Sequence, residues 1–165
     1  MGSLACVAFT IMFLNADANL VQAMGRDSTL TGRTELWGTL GRMIVDPLFG
    51  TGFESFWLGD RVTRLWSIYW WHPRQAHNGY LEVLLNLGWS GITLIAVMIF
   101  WGYRNVAVEF RRDPVAARLR LTFLIVALIY NVTEAAFKMM HPVWLALLFA
   151  LATPVRSRVR HHEAI

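Results

Sequence analysis

Long apolar blocks set off by arginines constrain this chain more than any other feature. A helix needs about 20 mostly apolar residues to cross the hydrocarbon core of a bilayer. Tyr80–Tyr103 and Leu121–Met140 each supply that length. Val143–Val155 is shorter but unbroken, and follows the turn signal His141-Pro142. Near the start, the apolar core Leu4–Leu14 passes into Asn15, Asp17 and Asn19, so this helix has a polar end and the least secure span. The blocks predict spans over residues 3–24, 80–103, 121–140 and 143–155. At 56% hydrophobic residues, the chain exceeds the roughly 45–50% of soluble domains, and the excess lies in these blocks. The expected fold is all-α: a polytopic transmembrane helix bundle with one large extracytoplasmic loop containing amphipathic helices.

The net charge of +4 comes from 14 arginines and one lysine, Lys138, set against 11 acidic residues. A basic chain can bind nucleic acid through a solvated basic face. Here the arginines separate apolar blocks, so they serve orientation first and no nucleic-acid partner is expected. Arg104, Arg111, Arg112, Arg118 and Arg120 cluster in the short connection 104–120, and Arg156, Arg158 and Arg160 follow the last block. The positive-inside rule assigns both the 104–120 loop and the 156–165 tail to the cytoplasm. The long polar stretch 25–79 then faces outward. Its six arginines and five of the eight tryptophans mark it as folded or surface-bound. Cys6 is the one cysteine, which excludes an internal disulfide and makes a thiolate metal site untenable.

Four groups in the polar stretch and its neighbours can carry chemistry. In Gly25-Arg26-Asp27-Ser28-Thr29-Leu30-Thr31-Gly32-Arg33-Thr34-Glu35-Leu36-Trp37, Thr31 reads as a helix N-cap, and Leu36, Leu40, Met43 and Ile44 continue at helical spacing. Arg33 then sits in a first turn, where free amides and a guanidinium make an anion site; the plainer reading is a solvated surface arginine. In His77-Asn78-Gly79-Tyr80-Leu81-Glu82, Asn78 can cap the following span. The helix dipole beside His77 disfavours a charged imidazole, and a neutral histidine suits a general base; the plainer reading is an interfacial hydrogen-bonder. The run Trp66–Trp71 with Tyr69, then His72-Pro73-Arg74, suits stacking on sugars, but an interfacial aromatic belt explains it as well. Arg61, Arg64 and Arg74 are further anion candidates. Finally Asn131, Glu134 and Lys138, three and four apart, are expected on one helix face, with Glu134 and Lys138 as an ion pair. Gly50-Thr51-Gly52-Phe53 reads as a simple turn.

The motifs at 25–37, Pro47-Leu48-Phe49-Gly50-Thr51-Gly52-Phe53 and His77–Glu82, in this order and spacing, resemble the O-antigen ligase and polysaccharide polymerase family, in particular its exopolysaccharide polymerisation proteins. Asn131 and Glu134 resemble its late spans. The resemblance implies a glycosyltransferase of a bacterial inner membrane, multi-pass, with its active side periplasmic. Such an enzyme moves a glycan from an undecaprenyl-diphosphate carrier to a sugar hydroxyl, without metal or cofactor. Carried over to this chain, it implies His77 as the base and Arg33 as the diphosphate contact. Arg26 and Arg74 are further contacts, and Asn78, Glu82 and Glu134 support the site. Family members have more spans, so the chain is expected to be the C-terminal part of a longer architecture. A missing N-terminal half, membrane lipid and other polysaccharide-assembly proteins are its expected partners.

Two other classes compete. A non-catalytic subunit or truncated fragment, scaffolding polysaccharide assembly or export, would need neither His77 nor Arg33. A transporter fragment would need Glu134 and Lys138 but not His77.

Overall fold

The computed structural model describes residues 29–152, and every regular element among them is a helix. The expected span over 3–24, Arg26 and the tail 156–165 lie outside the described residues. The chain divides into two compact units, residues 1–44 and residues 45–165.

In the first unit, α1 runs over Thr29–Arg42. Leu36 and Leu40, one turn apart, are buried, as their helical spacing demands. The helix closes on a tight turn, with the Met43 amide donating to the Leu40 carbonyl at 3.0 Å and the Arg42 guanidinium to Thr39 Oγ1 at 3.1 Å. The helix starts at Thr29, so Thr31 is not its cap and Arg33 lies in the second turn. No helix breaker stands at positions 29–31 to stop the extension. An amide in the second turn bonds the carbonyl four residues back and is closed to an anion.

The second unit holds α2 (Asp60–Ile68), α3 (Gly79–Glu109), α4 (Pro114–Thr133) and α5 (Pro142–Leu151). Each of the last three starts on a capping side chain. Asn78 Oδ1 accepts from the Leu81 amide at 3.0 Å. Asp113 accepts from the Val115 and Ala116 amides, with Pro114 as first helical residue. His141 Nδ1 accepts from the Val143 amide at 3.2 Å, ahead of Pro142. Proline at a first helical position forfeits an amide that has no intrahelical partner anyway.

Helices α3, α4 and α5 pack together around Leu124, Ala127 and Leu147, with Met98, Ile99, Phe137 and Trp144 against them. Among the described residues two helices, α3 and α4, are long and apolar enough to cross a membrane. Only 28% and 22% of their apolar windows are buried within the protein. A soluble core helix hides its apolar face, whereas these present theirs outward, as lipid-facing helices do.

The helix bounds depart from the sequence reading in three places. Much of the expected 104–120 loop is helical, because α3 runs on to Glu109 and α4 begins at Pro114. Helix α4 stops at Thr133 instead of reaching Met140. Helix α5 has ten residues, about half the length of a full span.

The largest departure is inside α3, which breaks at Gly88 (φ 64°, ψ −160°). The loop expected to be a simple turn crosses this break. Amides of Thr51 and Gly52 donate to the carbonyls of Leu85 (3.2 Å) and Asn86 (2.8 Å). Beyond the break, the amides of Trp89 and Ser90 donate to the carbonyls of Pro47 (2.9 Å) and Leu48 (3.0 Å). The loop thus pairs four backbone groups that the break would leave orphaned, a requirement in any apolar surrounding. The approach needs two glycines. A Cβ at Gly50 would strike the backbone of Asn86 and Gly88, and one at Gly88 would overlap the Leu48 carbonyl. Asp46 starts the loop, its carboxylate accepting from the Leu48 and Phe49 amides at 2.8 and 3.1 Å.

Candidate functional site

The end of the second unit where α3 begins and α4 stops collects its buried polar side chains. His77 precedes the cap of α3 and holds a left-handed backbone, φ 50°. Few non-glycine residues adopt it, and it costs on the order of 1–3 kcal/mol unless neighbours impose it. Here they do. The buried Glu82 carboxylate takes the Ala76 amide on Oε2 at 2.9 Å. Its Oε1 accepts from the Trp57 indole and from Asn86 Nδ2. The residue before His77 is therefore tied to the first turn of the helix after it. On the other side, Asn78 is 1% exposed and bound to Leu81.

Glu134 caps the C-terminus of α4 in extended conformation. Its Oε2 stands 3.3 Å from His77 Nδ1. Asn131 puts it there. This side chain is fully buried, its Nδ2 donating to the Ala127 carbonyl at 2.8 Å. Its Oδ1 accepts from the Ala136 and Phe137 amides at 3.0 and 2.9 Å. Those two bonds fold the chain back over the end of α4. They are the physical reason that Asn131, Glu134 and Lys138 do not share a helix face, and that Glu134 meets His77 and not Lys138. Gly79 makes room, since a Cβ there would overlap the Asn131 side chain.

His77 Nδ1 also lies 3.2 Å from Gln75 Nε2. The two neighbours make opposite demands, because a carboxylate needs a proton on Nδ1 and an amide nitrogen needs a bare one. Amide orientation is a choice of assignment, and the ionised carboxylate is the stronger acceptor. In the neutral tautomer with Nδ1–H directed to Glu134, Nε2 carries the lone pair. The His77 side chain is 30% exposed, so that lone pair belongs to a reachable ring.

The arginines separate into roles. Arg61 donates to the carbonyls of Ser55 (3.4 Å) and Phe56 (3.2 Å) and lies over the Phe56 ring, which makes it a brace for the loop before α2. Arg74 is exposed, its guanidinium 5.5 Å from the Trp66 ring centroid. Trp66 in turn donates to the Pro73 carbonyl at 2.9 Å and packs on His72. Arg33 belongs to the first unit. The sequence reading gave no weight to Trp57 or Asn86, and its only hint of them was a polar residue inside an apolar run, Asn86.

Residues 1–96 match the family described as O-antigen ligase. Exopolysaccharide production protein ExoQ of Rhizobium meliloti (strain 1021) is 31% identical over 122 residues, which cover 68% of this chain and 28% of that protein. The chain thus spans under a third of the curated relative it matches. No solved structure matches it. The class the fold defines is a helical protein whose described residues include two helices long and apolar enough to cross a membrane. Within that class, the chain belongs to the O-antigen ligase family.

Proposed function

We propose that the chain carries the catalytic end of a membrane glycosyltransferase, of polymerase or ligase type. It transfers a glycan from an undecaprenyl-diphosphate carrier to a sugar hydroxyl at the periplasmic face of a bacterial inner membrane. The observation that carries this reading is the His77–Glu134 pair at 3.3 Å. A carboxylate on Nδ1 fixes the ring and its tautomer, and it stabilises the imidazolium that forms when Nε2 accepts a proton. The acceptor hydroxyl is a weak nucleophile and needs such a base within hydrogen-bond reach. As its oxygen bonds to the anomeric carbon, the glycosidic bond to the diphosphate breaks and the leaving group takes the electron pair. The charge that grows there calls for guanidinium partners, a role that the family resemblance gives to Arg33, with Arg26 and Arg74 as further contacts. The family match and the likeness to an exopolysaccharide production protein support the substrate class.

The test is glycan transfer in membranes supplied with lipid-linked oligosaccharide, using the chain alone and joined to the remainder of a family-length protein. His77→Ala and Arg33→Ala should each lower transfer by about 10²-fold or more at matched protein level. Full activity in both variants would leave a scaffolding subunit as the better reading.

A further inference from the structure

The second unit holds a cleft of about 50 Å³ lined by Phe53, Glu54, Glu82, Asn86, Phe137 and Lys138, together with Val83 and Leu87. The geometry points to this cleft as a subsite for the acceptor glycan, taking one face of an uncharged sugar, a role that rests on the transferase reading above.

Three features carry the assignment. The first is position. Glu82 lines the cleft with the same carboxylate that holds the amide of Ala76, the residue before His77. Phe137 and Lys138 follow Glu134 by three and four residues, on the segment that Asn131 folds back. A sugar seated here stands against the elements that carry the base and its carboxylate.

The second is charge. Two carboxylates and one ammonium give the cleft a net negative sign. A diphosphate is disfavoured in such a place, because like charges at close range repel. The cleft therefore suits the acceptor, and the anionic leaving group belongs elsewhere. Lys138 is the chain's one lysine. Among the described residues neither its ammonium nor the Glu54 carboxylate has a hydrogen-bond or ion-pair partner. One supplies donors and the other acceptors, which is what a vicinal pair of hydroxyls can satisfy together. Glu54 is also held at φ 52°, a strained backbone for a residue other than glycine.

The third is the walls. Phe53 and Phe137 line the cleft with apolar rings that suit the C–H side of a sugar, and Phe137 makes T-shaped contacts with Tyr80 and Trp144 at 5.2 and 5.7 Å. Few polar groups set among apolar ones is the usual make-up of a small-ligand site. At this size the cleft grips one face of one ring and does not enclose an oligosaccharide.

The test is binding, read without any transfer. The full chain in lipid nanodiscs is titrated with cellotetraose, maltotetraose and laminaritetraose, and with tetragalacturonate as the anionic counterpart, by saturation-transfer NMR. At least one neutral tetramer should bind saturably at millimolar concentration. Tetragalacturonate should bind more weakly. Glu54→Gln and Lys138→Gln should each weaken the neutral tetramer about tenfold, the loss expected for a hydrogen bond to a charged group. Both residues lie at the surface of the site, and unchanged helical circular dichroism would confirm that the variants fold. No saturable binding by any neutral tetramer, equal or tighter binding of tetragalacturonate, or indifference to both substitutions would each overturn the assignment. His77→Ala should leave binding in place; its loss there would move the sugar out of the cleft. Transfer that survives His77→Ala would remove the proposed base while leaving the subsite standing. Absent binding with transfer that still needs His77 would remove the subsite alone.

Discussion

The two ends of the α3–α4–α5 bundle spend their polar groups in opposite ways. At one end a single arginine closes everything. Arg120 pairs with Glu109 at the close of α3 and donates to the carbonyls of Ala150 and Ala152 at the close of α5, both at 2.7 Å. Its side chain is 13% exposed, and each of the three guanidinium nitrogens donates a bond. At the other end Glu82, Asn86 and Asn131 are buried and bonded, yet their bonds hold up two residues, His77 and Glu134, that stay 30% and 36% exposed. One end is a staple. The other is a scaffold that keeps a reachable imidazole in a strained place. A polar network that ends in exposed, oriented, titratable groups leaves them available for the proposed reaction, whereas one that ends in itself serves stability.

The sharpest way to break this comparison is at Glu134. Glu134→Gln should lower glycan transfer by about 10–100-fold, the range for losing a partner that orients a functional histidine. The loss should fall on kcat, with KM for donor and acceptor little changed, and Glu134→Asp should restore part of it. A shift in thermal stability equal to that of a core deletion, with kcat per folded molecule intact, would make Glu134 a structural cap.

The staple should answer in the opposite manner. Arg120→Ala leaves Glu109 without its partner and two terminal carbonyls without donors. It should cost about 3 kcal/mol, as removal of one member of a buried pair does, read as a lowered midpoint of thermal unfolding in detergent. Transfer per folded molecule should hold. If transfer falls while stability does not, the two ends are not functionally separate.

Gly88→Ala probes the joint between the loop and the broken helix. The backbone there lies in a region open essentially to glycine alone, at a cost of about 1–3 kcal/mol for alanine from strain. The added overlap with the Leu48 carbonyl deepens the loss. Hydrogen exchange at the Trp89 and Ser90 amides should speed up, because both depend on the loop for their acceptors. Unchanged protection at those amides would mean that the loop does not hold the break.

How much of this was legible in the sequence follows the range of each interaction. Local patterns carried well. The apolar period placed α3 and α4, and Leu36 and Leu40 fell on the buried side of α1. Asn78 before Gly79 read as a cap, and Asn78 Oδ1 does cap α3. The failures are contacts between distant residues. Thr51 and Leu85 are 34 residues apart, so a Gly-Thr-Gly turn gave no sign that it would bridge a broken helix. His77 and Glu134 are 57 apart. Spacing placed Glu134 on a helix face with Lys138, since periodicity assumes that the helix continues. It stops because the Asn131 side chain competes for backbone amides ahead of it, the habit that makes asparagine a poor residue inside helices. The arginines show the same limit: composition counted Arg61 and Arg120 as charges, and only the fold reveals both as braces.

Arg74 gives the smallest effect and the finest test. In the structure it lies over the Trp66 ring, exposed to solvent, an arrangement worth about 0.5–1 kcal/mol. The resemblance, in contrast, made it a diphosphate contact. Both roles suit a guanidinium, but they respond differently to lysine. An ammonium keeps much of a point-charge attraction to phosphate and loses the planar stacking and the bidentate fork. Arg74→Lys and Arg74→Ala should therefore be compared in the same membranes. A stacking brace predicts that both variants unfold slightly more easily by nearly equal amounts, with KM for the lipid-linked donor unmoved. A diphosphate contact predicts a raised donor KM that is larger for alanine than for lysine, and a dependence on ionic strength that the alanine variant loses. The second outcome would extend the working end of the bundle to the aromatic loop after α2; the first would confine it to the residues around His77 and Glu134.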